Sequence, residues 1–155
     1  MAMNPERKAE WLRRLRSGEY DQTSGQLKAE YGSNVSYCCL GVACEMARED
    51  GVGDYWSGNG YLWYGSHDDY MADGESGVLE SKAASWATLP KGVSEWLGLD
   101  DSEGDPYVSV PTNHPKYQYL SDHGYLGPNN TARISQLNDN GFTFEQIADL
   151  IEAQF

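Results

Sequence analysis

From Ser36 to Cys44 the chain carries no charge, and the stretch that continues to Ala47 holds all three of its cysteines. Read at helical spacing, Leu40, Cys44 and Ala47 share one side, while Cys39, Val42, Ala43 and Met46 fill the neighbouring sides. Apolar atoms therefore surround most of the circumference, and a helix of that kind has to sit inside a fold. Gly41, Ala43, Cys44 and Ala47 are small, so neighbouring backbones can come close. Charge returns at Glu45, Arg48, Glu49 and Asp50, and Gly51 supplies the stop. The rest of the chain is expected to pack around this helix.

A chain of 155 residues, 39% of them hydrophobic, has enough apolar material for one core, so residues 1–155 are expected to form a single compact domain. The N-terminal stretch has no long apolar run of the signal-peptide kind, and nothing approaches the roughly 18 apolar residues of a bilayer span. A cytoplasmic protein without a membrane partner is the expectation. Three cysteines, two of them adjacent in a buried helix, read as reduced thiols.

The formal net charge is −13. Arg7, Lys8, Arg13, Arg14 and Arg16 place five of the eleven cations in the first sixteen residues, so the remainder of the chain carries −16. A field of that sign repels phosphate backbones and favours a basic partner. Direct nucleic-acid binding by the body of the domain is not expected.

Asn4-Pro5-Glu6 reads as a helix start, Trp11, Leu12 and Leu15 as its apolar stripe, and Ser17-Gly18 as its end. Gln26–Tyr31 and Val35–Tyr37 read as short strands about a Gly32-Ser33-Asn34 turn, ahead of a central helix from Cys38 to Glu49. Leu89-Pro90 opens a short helix in which Val93, Trp96 and Leu97 share a face, closed by Gly98. Asp100 to Asp105 reads as an acidic, solvated turn, and Tyr107–Val110 as a strand. The stretch with His114, Tyr117, Tyr119, His123 and Tyr125 reads as irregular, and Thr131 as the cap of a helix through Leu137. At the end, Thr143 with Gln146 forms a capping box and Phe142 with Ile147 a hydrophobic staple. Phe144, Ile147, Ala148 and Ile151 then dock the last helix.

The densest aromatic segment is Tyr55 to Tyr64. Asn59-Gly60 inside it is a strong two-residue hairpin signal. A turn there sets Trp56 opposite Trp63 and Tyr55 opposite Tyr64, with Trp56, Tyr61 and Trp63 on one face. Gly77–Glu80 is a candidate further strand.

Trp11 with Leu15-Arg16-Ser17-Gly18-Glu19-Tyr20, the run Tyr37–Cys44, Leu89-Pro90 with Trp96-Leu97-Gly98-Leu99, and Leu137–Gly141 with Phe144 and Ile147-Ala148 resemble a group of small uncharacterised proteins from bacteriophages and bacterial genomes. The resemblance covers both ends and the centre, and leaves Tyr55–Ser81 and Asp100–Tyr125 unmatched. It implies a phage or prophage accessory protein acting inside a bacterium and carries no catalytic residue across.

A thiol at a helix N-terminus can be a nucleophile, so Cys38 or Cys39, with His67, His114 or His123 as base, spells a cysteine hydrolase. Buried structural cysteine is the plainer reading. Neither zinc-ligand spacing nor an EF-hand nor a phosphate-binding glycine loop is present, so no metal and no cofactor is expected. Two binding readings remain. In one, Asp68, Asp69, Asp100, Asp101, Glu103 and Asp105 meet a host protein with a basic surface. In the other, Trp56, Tyr61 and Trp63 line a pocket for a small nucleotide ligand. The expected architecture is α+β: a small, mainly antiparallel sheet packed against a central buried helix and the N- and C-terminal helices.

Overall fold

The computed structural model describes residues 3–52, 55–57, 61–63, 88–89, 91–99 and 104–155. Their elements are α1 (Pro5–Ser17), β1 (Asp21–Gln22), β2 (Lys28–Tyr31), β3 (Asn34–Tyr37), α2 (Cys39–Glu49), β4 (Tyr55–Ser57) and β5 (Tyr61–Trp63). There follow α3 (Lys91–Leu97), β6 (Tyr107–Ser109), α4 (Tyr117–Asp122), a 3-10 turn (Pro128–Asn130), β7 (Thr131–Arg133), α5 (Ile134–Asp139) and α6 (Phe144–Gln154). The class is α+β, as the sequence leads one to expect. The strands are divided among three small ladders, ordered β1-β3-β2, β4-β5 and β6-β7, and all pair antiparallel except β1 with β3.

Helix α2 is the hub. Every residue from Cys39 to Ala47 is buried, and α1, α3, α5 and β3 all pack on it. Leu27 lies so close to Gly41 that a Cβ built there would stand 1.8 Å from the Leu27 carbonyl oxygen, so only glycine fits. The Cys38 N–H donates to that same carbonyl at 3.1 Å, which brings the start of α2 against the strand that follows Leu27.

Helix α1 forms as its sequence dictates. The Asn4 side chain accepts from the Glu6 and Arg7 amides, Pro5 occupies the first turn, and Gly18 closes the helix at φ 77°. Trp11, Leu12 and Leu15 are buried, and the Trp11 indole N–H donates to the Cys39 carbonyl at 3.0 Å. The β2–β3 hairpin pairs Tyr31 with Asn34 across Gly32-Ser33, and Gly32 takes φ 64°, as the first central residue of a tight hairpin turn often must. Helix α6 has its complete capping box, and Phe144, Ile147, Ala148, Leu150 and Ile151 are buried against the core.

Asn138 ties distant parts of the chain together. Its Oδ1 accepts from the Gln22 side chain at 2.8 Å and from the Cys39 amide at 3.2 Å, while its Nδ2 donates to the Thr23 carbonyl at 2.7 Å. The residue is 2% exposed and fully satisfied, as a buried amide must be.

Several expectations need correction. Thr131 starts no helix: Thr131–Arg133 is β7, paired with β6, and α5 begins at Ile134. Its first turn is capped from a distance by Asp105, whose carboxylate accepts from both the amide and the hydroxyl of Ser135. The stretch read as irregular contains α4, whose single buried residue, Leu120, leaves no apolar stripe to betray a helix. In the β4–β5 ladder the pairs are Tyr55 with Trp63, Trp56 with Leu62 and Ser57 with Tyr61. Three residues, not two, connect the paired ends, so the expected pairing of Trp56 with Trp63 is off by one. The register sets position 56 against Leu62, and positions 61 and 63 against Ser57 and Tyr55. Asn59-Gly60, Tyr64 and Gly77–Glu80 lie outside the described residues.

Candidate functional site

The three thiols are the first place to look for chemistry, and they are unsuited to it. Cys38, Cys39 and Cys44 are all buried and free. Burial pushes the Cys38 thiol up to about 12 and those of Cys39 and Cys44 well above their ordinary value. Cys38 serves as the N-cap of α2, its sulfur accepting from the Gly41 amide at 3.4 Å, and the Cys39 thiol donates to the Ile134 carbonyl at 3.7 Å. Both sulfurs do structural work at the helix start.

The histidines are equally occupied. His114 stacks on Phe142 with ring centroids 5.0 Å apart, and its Nδ1 accepts from the Lys116 amide. Partial burial, helped by the Lys116 charge, holds its pKa below the ordinary histidine value. His123 donates through Nδ1 to the Tyr119 carbonyl at 2.8 Å. His67 lies outside the described residues. Among the described residues no group of three His, Cys, Asp or Glu side chains is placed to hold a metal ion, and no helix is long and apolar enough to cross a membrane.

The cations of α1, the one basic stretch of the sequence, are engaged within the molecule. Arg7 lies over the Trp96 ring at 4.7 Å and donates to the Trp96 carbonyl, while Lys8 donates to the carbonyls of Glu152 and Phe155. Arg13 pairs with Glu10, Arg14 with Glu10 and Glu49, and Arg16 with Asp149 and Glu152. Two concavities flank this helix. One, of about 650 Å³, lies between α1 and the end of α6 and is lined by Met3, Leu12, Arg13, Arg16 and Phe155 among others. The second, of about 360 Å³, is bounded by Arg7, Arg14, Glu49, Asp50 and Trp96, with the Trp96 indole donating to Asp50 at 2.9 Å.

The acidic candidates separate into two groups. Asp105 is 5% exposed and committed to Ser135, so it is an internal cap and not part of a charged surface. The expectation of a solvated turn fails for it because α5 begins with orphan amides that need an acceptor. Asp68, Asp69, Asp100, Asp101 and Glu103 lie outside the described residues. As a matter of sequence, the residues outside the description hold nine of the twenty-four carboxylates and, in Lys82, one of the eleven cations.

One surface feature lies in the stretch whose sequence pattern reads as irregular. On α4 and the turn after it, Tyr119 and His123 lie with ring centroids 4.1 Å apart, and His123 stacks on Tyr125 at 5.9 Å. Tyr119 keeps 45% exposure and His123 is exposed, so these rings form a solvent-facing row. The signal was a run of tyrosine and histidine in a segment with few aliphatics, and a helix reading would have put Tyr119 and His123 four apart on one face.

No curated protein and no solved structure matches the chain. A family model matches residues 3–155, nearly the whole length, and the chain belongs to that family, described as Domain of unknown function (DUF8296).

Proposed function

We propose that this is a non-enzymatic phage accessory protein that binds and inhibits a basic host factor, a component of an anti-phage defence system being the target class. The observation that carries the reading is the charge arrangement. The five cations of α1 are satisfied by partners within the chain, whereas Asp68, Asp69, Asp100, Asp101 and Glu103 belong to stretches with nine carboxylates and a single lysine. A partner would meet acid. The buried thiols leave a cysteine hydrolase without an accessible nucleophile. Phage origin and action in the bacterial cytoplasm rest on the resemblance of the Tyr37–Cys44 and Leu137–Gly141 stretches to phage and bacterial proteins.

Native mass spectrometry of the chain after incubation with bacterial lysate tests the reading. A stoichiometric protein partner, released when Asp68, Asp69, Asp100, Asp101 and Glu103 are changed to Asn or Gln, is the expected result. A bound nucleotide in place of a protein, or a partner indifferent to those substitutions, would overturn it.

A further inference from the structure

We infer that the outward face of α4 is a docking surface for an arginine side chain of a basic protein partner, the guanidinium lying on the Tyr119 ring and pairing with the Asp122 carboxylate. The inference rests on the proposed reading that the partner is basic, and adds where and how one of its cations is held.

Tyr119, Asp122 and His123 stand at i, i+3 and i+4 of one helical turn and therefore share a face, with neighbouring Cβ atoms about 5–6 Å apart. That spacing suits a guanidinium, whose flat face stacks on an aromatic ring while its edge reaches a carboxylate. The ring is held in place for such a contact. His123 packs against it at 4.1 Å, is anchored through its own hydrogen bond to the Tyr119 carbonyl, and is backed by Tyr125. Leu120 is buried and fixes the helix to the core. Asp122 is positioned by the Gln118 amide at 2.7 Å and keeps its remaining acceptor sites toward solvent.

Among the described residues an arginine already makes this contact twice. Arg133 lies 4.3 Å over the ring of Tyr107, and Arg7 lies 4.7 Å over that of Trp96. Tyr107 is 49% exposed and Tyr119 45%, so the two tyrosines are comparably presented. Among the described residues, Tyr107 has a cation over its ring and Tyr119 has none. A positive charge supplied from outside would complete at Tyr119 the pairing that Arg133 completes at Tyr107. Tyrosine and arginine are also the residue types that most often dominate binding energy at protein interfaces.

The test is an NMR titration of the full chain with a hexa-arginine peptide, read at the Tyr119 and His123 ring signals and the Asp122 amide, with hexa-citrulline as the uncharged control. The expected result is movement of these signals by the arginine peptide alone. Tyr119→Ala should weaken binding by about tenfold, with Tyr119→Phe staying within about twofold of wild type, because the ring and not the hydroxyl makes the contact. Asp122→Asn should weaken it independently, and neither side chain is buried, so both variants stay folded. Arginine-peptide binding that leaves the α4 signals still would overturn this docking surface while leaving a basic partner in place. Absence of any arginine-peptide binding would overturn both the surface and the basic-partner reading beneath it.

Discussion

Gly41→Ala places a methyl group where α2 meets the segment leading into β2. The new Cβ would stand 1.8 Å from the Leu27 oxygen and 2.8 Å from its carbonyl carbon, whereas ordinary contact begins near 3.4 Å. The two backbones must part by about 1.6 Å before the methyl is accommodated. Separation stretches the 3.1 Å bond from the Cys38 amide to the Leu27 carbonyl beyond use and dislodges Leu27, which is fully buried. The lost hydrogen bond costs about 1 kcal/mol and the overpacking about 1–3 kcal/mol. Alanine recovers about 1 kcal/mol because glycine is a poor helix residue. The balance is a destabilisation of about 1–3 kcal/mol, which a urea slope of roughly 2 kcal/mol/M turns into a midpoint lowered by about 0.5–1.5 M. Because the struck atom is backbone, Leu27→Ala should not rescue Gly41→Ala, and the double variant should be less stable than either single one. A midpoint unchanged or raised by Gly41→Ala, or rescue by Leu27→Ala, would refute the close approach as the reason for glycine at this position.

Asn138→Ala strands the Cys39 amide and the Thr23 carbonyl and removes one of the two acceptors of the Gln22 side-chain amide, and should cost about 2–4 kcal/mol, a fall in Tm of roughly 5–15 °C; an unchanged melting curve would dismiss the clamp. Hydrogen bonds from Arg13 and then Arg14 hold the Glu10 carboxyl down at about 2, against an ordinary 4.5. A depressed folded-state pKa contributes stability that is fully present above about 4.5 and is lost as pH falls toward 2. Glu10→Gln should therefore flatten the acid side of the stability profile in that window, by no more than about 1 kcal/mol since the pair is solvent-screened, and an identical profile would contradict it. Finally, a thiol reagent at pH 8 should leave the native protein untouched and label Cys38, Cys39 and Cys44 only as fast as the chain unfolds; rapid labelling of one equivalent would contradict the burial of these thiols.

The parts of the fold legible in the sequence are those written in local grammar. Asn4-Pro5, Thr143 with Gln146, and Gly18 each act on residues within one turn, and each appears in the structure where its spacing puts it. The Cys39–Ala47 helix was legible for a different reason, since a segment apolar on all sides can only be interior. What escaped is non-local. The cap of α5 comes from Asp105, thirty residues upstream of Ser135, and no short pattern announces it. The β4–β5 register turned on whether the connection has two residues or three, a difference Asn59-Gly60 alone does not decide. Helix α4 has one buried residue and therefore no period, so no apolar stripe marks the helix that presents Tyr119 and His123.

The Asn138 clamp also sets an order of events during synthesis. The start of α2 becomes complete only when the Cys39 amide meets an acceptor supplied ninety-nine residues later, and Gln22 and Thr23 wait for the same side chain. A nascent chain that has delivered the buried helix but not yet α5 holds its most apolar segment without its partner, for several seconds at ordinary elongation rates of roughly 5–20 residues per second. Completion of this part of the core is thereby postponed until α5 leaves the ribosome, and a message cut short before residue 138 would yield a product suited to proteolysis instead of a partly working protein.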